Sequence, residues 1–184
     1  MDSSTLEQQL QAAGLQLCGN CADLSTVPHL LQRSALLQDF SAAEADVVGG
    51  AMLRIRAQPG QVLIAEGDAS DWLMLLVAGT VDVGKRKAGD EGFQEEVTES
   101  TRIAVVREGA VLGEMSMIDG EPRYASCWAI TQVEAGVLSR AAVGRLIASH
   151  PAIGAKLLVK LTQLLAQRLR NTSNQLVKSL RKAT

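Results

Sequence analysis

Gly113, Glu114, Met115, Ser116 and Arg123 stand within eleven consecutive residues, and together they offer what a small anionic sugar phosphate requires. A glycine ahead of a short helical turn lets backbone N–H groups point outward at an anion, and the positive end of the turn adds to the attraction. The amides of Met115 and Ser116 are the expected donors. Arg123 lies nine residues after Glu114 and carries a planar fork that can pair two phosphate oxygens at once, which an ammonium cannot do. A carboxylate would repel a phosphate. Glu114 therefore makes sense here only if it faces a neutral donor, and a ribose hydroxyl is the obvious one. The expected ligand carries both phosphate and sugar.

The elements that must position these groups read mainly as short strands. Residues 52–57, 72–78, 80–85, 102–106, 127–131 and 132–138 are runs of strand length separated by glycine or polar turns. Many short strands at such spacing predict a β-roll or jelly roll (a double-stranded β-helix). Helices are expected on both sides of it, near 28–38 and near 42–51, the second capped by Ser41 with Glu44 three residues later. Before them, residues 1–27 read as a helical extension. Ser4-Thr5-Leu6-Glu7 makes a capping box, Leu6, Leu10, Ala13 and Leu17 share one helical face, and Gly19-Asn20 and Pro28 interrupt the pattern. The polar segment 87–96 reads as a hairpin excursion without chemistry. After Leu138 the helical period returns, breaks at His150-Pro151 and resumes to the end. The fold class is thus mainly β with flanking helices and a long C-terminal helix, divided as 1–27 extension, 28–140 roll with leading helices, and 141–184 C-terminal helices. On the last helix Leu158, Leu161, Leu165, Leu169, Thr172, Leu176 and Leu180 step by three or four residues and form one face. That face is too long for the roll alone to cover, so a partner is implied.

Composition narrows the class. A chain of 184 residues, 47% hydrophobic and 21% charged, is globular material of one core plus flanking helices. No apolar run is long enough to cross a bilayer and the N-terminus has no signal-peptide pattern, so a cytoplasmic protein with reduced cysteines is expected, with no membrane partner. The net charge of −2 hides an asymmetry: residues 1–134 sum to −11, and residues 135–184 to +9 with no acid at all. A basic helical face lying against an acidic roll, or solvated beside it, explains this more simply than nucleic-acid binding.

The run Gly113-Glu114-Met115-Ser116 followed by Pro122-Arg123-Tyr124-Ala125-Ser126 resembles the signature G-E-x-[SA]…P-R-x-A-[ST] of the cyclic-nucleotide-binding domain family. That family includes catabolite-activator-type regulators, regulatory subunits of cyclic-nucleotide-dependent kinases, and cyclic-nucleotide-gated channels. Residues 59–68 resemble its early strand and turn, and residues 75–83 the hairpin that follows. The resemblance covers roughly residues 30 to 175 and implies a non-enzymatic sensor. It also implies a ligand, cyclic AMP or cyclic GMP, and no cofactor or metal. Relatives preferring guanine often carry Thr or Ser directly after the phosphate arginine; Tyr124 stands there, which favours cyclic AMP and places a bulky ring that crowds the pocket or stacks beside it. Ile103, Ala104 and Val106 are candidates for the apolar wall under the base. Thr172-Ser173 is similar to the pair with which catabolite-activator-type helices touch the purine, but it lies about one helical turn farther from Arg123 than in that pattern. Two registers are therefore open: Thr172 and Ser173 over the base, or Arg168 and Leu169. The resemblance further implies a homodimer through the C-terminal helix and a signal passed to a protein effector when that helix moves.

Two alternatives accompany this reading. DNA-binding relatives continue into a helix-turn-helix, which these 184 residues do not contain, so the first is a catabolite-activator-like regulator without its DNA-binding domain and without sequence-specific nucleic-acid binding. The second is a thiol or iron–sulfur redox sensor on the same fold, raised by Cys18, Cys21 and Cys127 with His29 as a stand-in ligand. A cluster ordinarily wants four thiolates, which counts against it. Enzyme readings are weak, since His29 and His150 are the only histidines and no nucleophile–base pair stands out.

Overall fold

The computed structural model describes residues 3–86 and 100–182. The hairpin excursion expected at 87–96 lies outside them. Alternation decides the architecture. In the strand Trp72–Ala78 every residue except Ala78 is buried, because successive side chains point to opposite faces of a sheet and both faces are covered here. Met74 and Leu76 enter the interior of a roll, while Leu73, Leu75 and Val77 pack against helices.

Among the described residues nine strands build two antiparallel sheets: β1 (Gln16–Asn20), β2 (Leu53–Ala57), β3 (Val62–Ile64), β4 (Trp72–Ala78), β5 (Thr80–Arg86), β6 (Ser100–Arg107), β7 (Val111–Leu112), β8 (Ser126–Ala129) and β9 (Val133–Ser139). One sheet has the order β1-β2-β9-β4-β7 and the other β3-β8-β5-β6. Ile55, Met74, Leu76, Ala135 and Val137 from the first meet Leu63, Ile64, Val81, Cys127 and Ala129 from the second to fill the roll. The outer face of the first sheet is covered by the helices α2 (Leu30–Arg33), α3 (Ala42–Gly50), α5 (Arg140–Ser149) and α6 (Pro151–Lys182), whose Leu30, Val48, Leu146, Leu157 and Leu161 belong to the second cluster, whereas α1 (Ser3–Ala12) adds Leu6 and Leu10 to the cluster of the roll. A short helix α4 (Glu114–Asp119) follows β7. These mainly antiparallel sheets with flanking helices are the β-roll the sequence predicts.

Caps fix the helix starts. Glu44 N–H donates to Ser41 Oγ at 3.3 Å and Ser41 N–H donates to the Glu44 carboxylate at 2.8 Å, a reciprocal box at the start of α3. Ala142 N–H donates to Ser139 Oγ at 3.2 Å and starts α5.

Three sequence expectations are corrected. The apolar face read through Ala13 and Leu17 breaks after Leu10, since α1 ends at Ala12 and Gly14 turns the chain at φ +76°. Leu15 is buried in place of Ala13, and Leu17 belongs to β1, which adds an edge strand to the first sheet by pairing with β2. The helix expected over 28–38 shrinks to Leu30–Arg33, with a 3-10 turn at Leu24–Thr26 before it. Pro28 removes a donor there and His29 adopts a left-handed φ of 61°, so no helix can run through them. Ser4, read as a cap, falls inside α1.

Candidate functional site

The site grows from the hinge between β7 and α4. Gly113 takes φ +73° and turns the chain from strand to helix, a conformation costly for any residue with a Cβ. The first turn of α4 follows at once. Met117 N–H makes the earliest α4 bond, to Gly113 O at 3.4 Å, so the amides of Met115 and Ser116 lie before the intrahelical ladder begins. Ser116 is buried, whereas the Met115 side chain is partly exposed.

Arg123 is brought to the same hinge by a loop. Its own N–H donates to Asp68 O at 2.9 Å, and Gly67 N–H donates to Arg123 O at 2.9 Å, so the turn after β3 clamps its backbone. The guanidinium donates to Gly113 O through Nη1 at 2.7 Å, to Trp72 O through Nη2 at 2.7 Å and to Ser70 Oγ through Nε at 2.6 Å. Its Cζ lies 4.2 Å from the Trp72 ring centroid, a cation over an aromatic face. Five N–H groups minus three bonds leave two without a partner among the described residues. Arg123 is 3% exposed, and no carboxylate of the described residues pairs with it. Burial pushes its pKa down to about 10, against the smaller opposing pull of Cys127, Glu114, Asp68 and Asp71. It remains a cation near neutral pH, with Glu114, Asp68 and Asp71 near it and no carboxylate of the described residues in an ion pair with it.

Glu114 is the complementary case. It is 1% exposed; one oxygen accepts from Arg168 Nη1, while Oε2 is buried without a hydrogen-bond partner. A buried acceptor left unsatisfied costs free energy on the order of 1–3 kcal/mol and more when charged. Two guanidinium N–H donors of the side chain bonded to Gly113 O, and one carboxylate oxygen of the residue that follows Gly113, are thus left over among the described residues.

The other sequence-derived residues divide. β5 pairs with β6 so that Val83 lies opposite Ala104 and Val81 opposite Val106. Val81 is in the roll interior with Val83 and Val106 packed against it, which puts Ala104 and Val106 on the inward face. Ile103 is the extra residue where the register shifts between Val83 and Gly84, and it is half exposed. Tyr124 follows Arg123, is exposed, and carries Lys85 Nζ 3.8 Å from its ring centroid.

Of the α6 residues named in the two registers, Arg168 is the one that contacts Glu114. Arg168 donates to Glu114 and to Val111 O. Thr172 and Ser173 lie one turn farther along and are exposed, and Leu169 is exposed as well. The origin of α6 explains this. The corner between α5 and α6 is so close that a Cβ on Gly154 would overlap Ile147, and Lys156 bonds Glu44 at 2.7 Å while Lys160 pairs with Asp39. These ties fix rotation and height of the helix before it passes Glu114. From Leu157 and Leu161, fully buried, the apolar stripe emerges into solvent, with Leu169, Leu176 and Leu180 more than half exposed.

Sequence reasoning missed Ser70 and Trp72, which orient Arg123 from more than fifty residues away; no local pattern marks them. The thiols are spread rather than gathered. Cys21 belongs to the helix-side cluster and Cys127 to the roll interior, and among the described residues no three His, Cys, Asp or Glu side chains are placed to hold a metal. Burial raises both thiols, Cys127 to about 12. No helix of the described residues is long and apolar enough to cross a membrane.

Residues 54–150 match the model of the cyclic nucleotide-binding domain. A CRP-like cAMP-activated global transcriptional regulator of Mycobacterium tuberculosis is 29% identical over 147 residues, 80% of this chain and 60% of the relative, so the chain spans less than two thirds of that protein. A cAMP-dependent protein kinase regulatory subunit of Aspergillus niger is 31% identical over 117 residues, 64% of this chain and 26% of the relative. The crystal structure of a cyclic nucleotide-binding domain from Methylobacillus flagellatus superposes with a TM-score of 0.78 at 32% identity, covering 97% of this chain and 96% of the other.

Proposed function

Since the chain belongs to the cyclic nucleotide-binding domain family, we propose that it is a sensor that binds cyclic AMP at the Gly113–Arg123 hinge and signals through α6. One observation carries this reading. Among the described residues, a buried arginine with no ion-paired carboxylate is bonded to the left-handed Gly113, and the next residue carries a buried carboxylate oxygen with no donor. A ligand that meets both demands presents an anion and a hydroxyl a few ångströms apart, as a ribose cyclic phosphate does. The phosphate takes the two remaining guanidinium donors and the amides of Met115 and Ser116; the sugar hydroxyl donates to Glu114 Oε2.

The signal follows from Arg168. In the described state α6 is tied to the same carboxylate that would receive the sugar hydroxyl. A hydroxyl arriving at Glu114 changes what Arg168 is paired with, and a ligand shifts a conformational equilibrium by its differential affinity for the two states. The exposed Leu169, Leu176 and Leu180 supply a face for a second copy of the chain, so we take the working unit to be a homodimer joined along α6, with a protein effector reading its position. Two of the relatives are named for cAMP, which supports the choice of base. Calorimetry with cyclic AMP, cyclic GMP and AMP tests the proposal: saturable binding of cyclic AMP ahead of the other two supports it, and absence of binding to either cyclic nucleotide overturns it.

A further inference from the structure

Arg140 stands outside the eleven-residue cassette, yet it grips the helix that carries Glu114. Helix α4 spans six residues, Glu114–Asp119, too few for a helix to hold itself, so its placement depends on what its ends are bonded to. The near end is held by the phosphate-site arginine: Arg123 Nη1 donates to Gly113 O at 2.7 Å, the same carbonyl that receives Met117 N–H. The far end is held by Arg140, which donates to Met117 O through Nε at 2.7 Å and to Ser116 O through Nη2 at 3.2 Å. Carbonyls in the last turn of a helix lack intrahelical donors, and an arginine supplies them.

Both arginines are anchored on one short segment. Arg123 donates to Ser70 Oγ at 2.6 Å and to Trp72 O at 2.7 Å, and the backbone N–H of Arg140 donates to Asp71 O at 2.8 Å between them. Strand pairing supplies the reason. Trp72 at the start of β4 lies opposite Ser139 at the end of β9, so the next residue, Arg140, begins α5 beside residues 70–72. The bonds close a circuit from Gly113 through Arg123 to residues 70–72, on through Arg140, and back along α4. Within it, the spacing between Glu114 and the Arg123 guanidinium is set from both ends of α4.

We propose that Arg140 is a positioning residue: it holds the far end of α4 so that the Glu114 acceptor and the Arg123 donors keep the spacing that one sugar phosphate can bridge. As the first residue of α5, it also makes that spacing depend on where α5 stands. This rests on the assignment of Arg123 and Glu114 to phosphate and sugar. Arg140 acts through α4 and not by touching the ligand. Its planar fork reaches two successive carbonyls, which the point charge of a lysine matches only in part. Changes along a bonded network of this kind move a coupled affinity by about two- to thirty-fold.

The test is calorimetric titration of the full chain with cyclic AMP and with 2′-deoxy cyclic AMP. Arg140→Met keeps the aliphatic stem and removes the donors, whereas Arg140→Lys keeps the charge. Arg140→Met is expected to weaken cyclic AMP about two- to thirty-fold and 2′-deoxy cyclic AMP less, because a Glu114 that drifts from Arg123 loses the advantage of the hydroxyl first. Arg140→Lys restores part of both. Gly60→Ala controls for lost stability, since Gly60 has φ +85° and an added Cβ there meets nothing within 4 Å; it keeps the wild-type ratio of the two ligands. Ligand-free protein gives a second reading. Gly120 N–H donates to Ser116 O at 3.0 Å, and its hydrogen exchange should be faster in Arg140→Met than in Gly60→Ala. Where Arg140→Met does not fold, Arg140→Lys is read by the same two measurements. A wild-type ratio of the two ligands in the Arg140 variant, or Gly120 exchange no faster than in Gly60→Ala, overturns the positioning role and leaves the sugar-phosphate site standing. A wild-type protein that binds neither nucleotide overturns both.

Discussion

Gly113→Ala is the sharpest single perturbation of the site, because a methyl group there strikes the arginine rather than the ligand. Built on the Gly113 backbone, a Cβ would overlap Arg123 Nη1 and come within 3.1 Å of its Cζ. The end of an arginine ordinarily swings away from such a clash. Here it is held by Ser70, by the Trp72 carbonyl and by the Trp72 ring 4.2 Å from Cζ, so moving it breaks bonds that are buried. Two costs add. The left-handed φ of +73° charges a residue with a Cβ roughly 1–2 kcal/mol, and displacing the guanidinium forfeits at least one charge-assisted hydrogen bond of about 1.5–3 kcal/mol. The expected loss of stability is about 2.5–5 kcal/mol. Gly60 provides the control: its φ is +85°, and an added Cβ meets nothing within 4 Å, so Gly60→Ala should lose only the roughly 1–2 kcal/mol of backbone strain. Urea unfolding of both variants gives the difference, and calorimetry with cyclic AMP gives the functional side, where Gly113→Ala should lose more than tenfold in affinity and Gly60→Ala none. Equal destabilisation of the two variants with affinity intact in both would refute the placement of Arg123 against Gly113.

Further outcomes follow from the same geometry. Burial sets the free Arg123 pKa to about 10, and a bound phosphate stabilises the protonated form and raises it. Binding therefore carries the proton along. Affinity for cyclic AMP should be flat below about pH 9 and fall toward tenfold per pH unit above about 10; titration under conditions where circular dichroism shows intact fold checks this, and affinity unchanged at pH 10.5 contradicts it. Arg168→Ala leaves the buried Glu114 carboxylate without the arginine. The cost should be about 1–3 kcal/mol, less than for a fully buried pair because the arginine end is partly solvated. Denaturant unfolding reads it, and a change under about 0.5 kcal/mol would show the tie to be incidental. With Cys127 held near 12 and Cys21 raised by burial, thiol labelling of native protein near pH 8 should modify Cys18 first; equal labelling of all three contradicts their placement.

Much of the roll is legible in the sequence because it is written in period two. Strands β4 and β5 start where glycine and polar turns punctuate apolar runs, and the α3 capping box is a local pattern with a local consequence. The anion cassette is legible for the same reason, since eleven residues contain it. Strand β1 is not. Gln16-Leu17-Cys18-Gly19-Asn20 has no alternation, and it is a strand because β2 offers it an edge. Strand β7 is too short to carry a period. The register of α6 illustrates another limit. Arg168 and Thr172 are four residues apart and share a helical face, so periodicity cannot choose between them. The choice is made by the tight Gly154 corner and by ion pairs joining Lys156 to Glu44 and Lys160 to Asp39, all contacts across more than a hundred residues or around a corner. Trp72 reads as the start of a strand, and nothing in its neighbourhood says that its ring and carbonyl will hold an arginine.

The central claim is that Glu114 Oε2 receives a hydroxyl of the ligand's sugar. Its most direct measurement is a cycle that removes one partner from each side: cyclic AMP and 2′-deoxy cyclic AMP titrated into wild-type protein and Glu114→Gln. Loss of the hydroxyl should cost wild-type protein about 1–3 kcal/mol, roughly five- to 150-fold in affinity. In Glu114→Gln the two ligands should bind within a few-fold of each other, because the charged acceptor the hydroxyl answered is gone. A wild-type protein indifferent to the 2′-hydroxyl, or an equal loss in both proteins, would contradict the account.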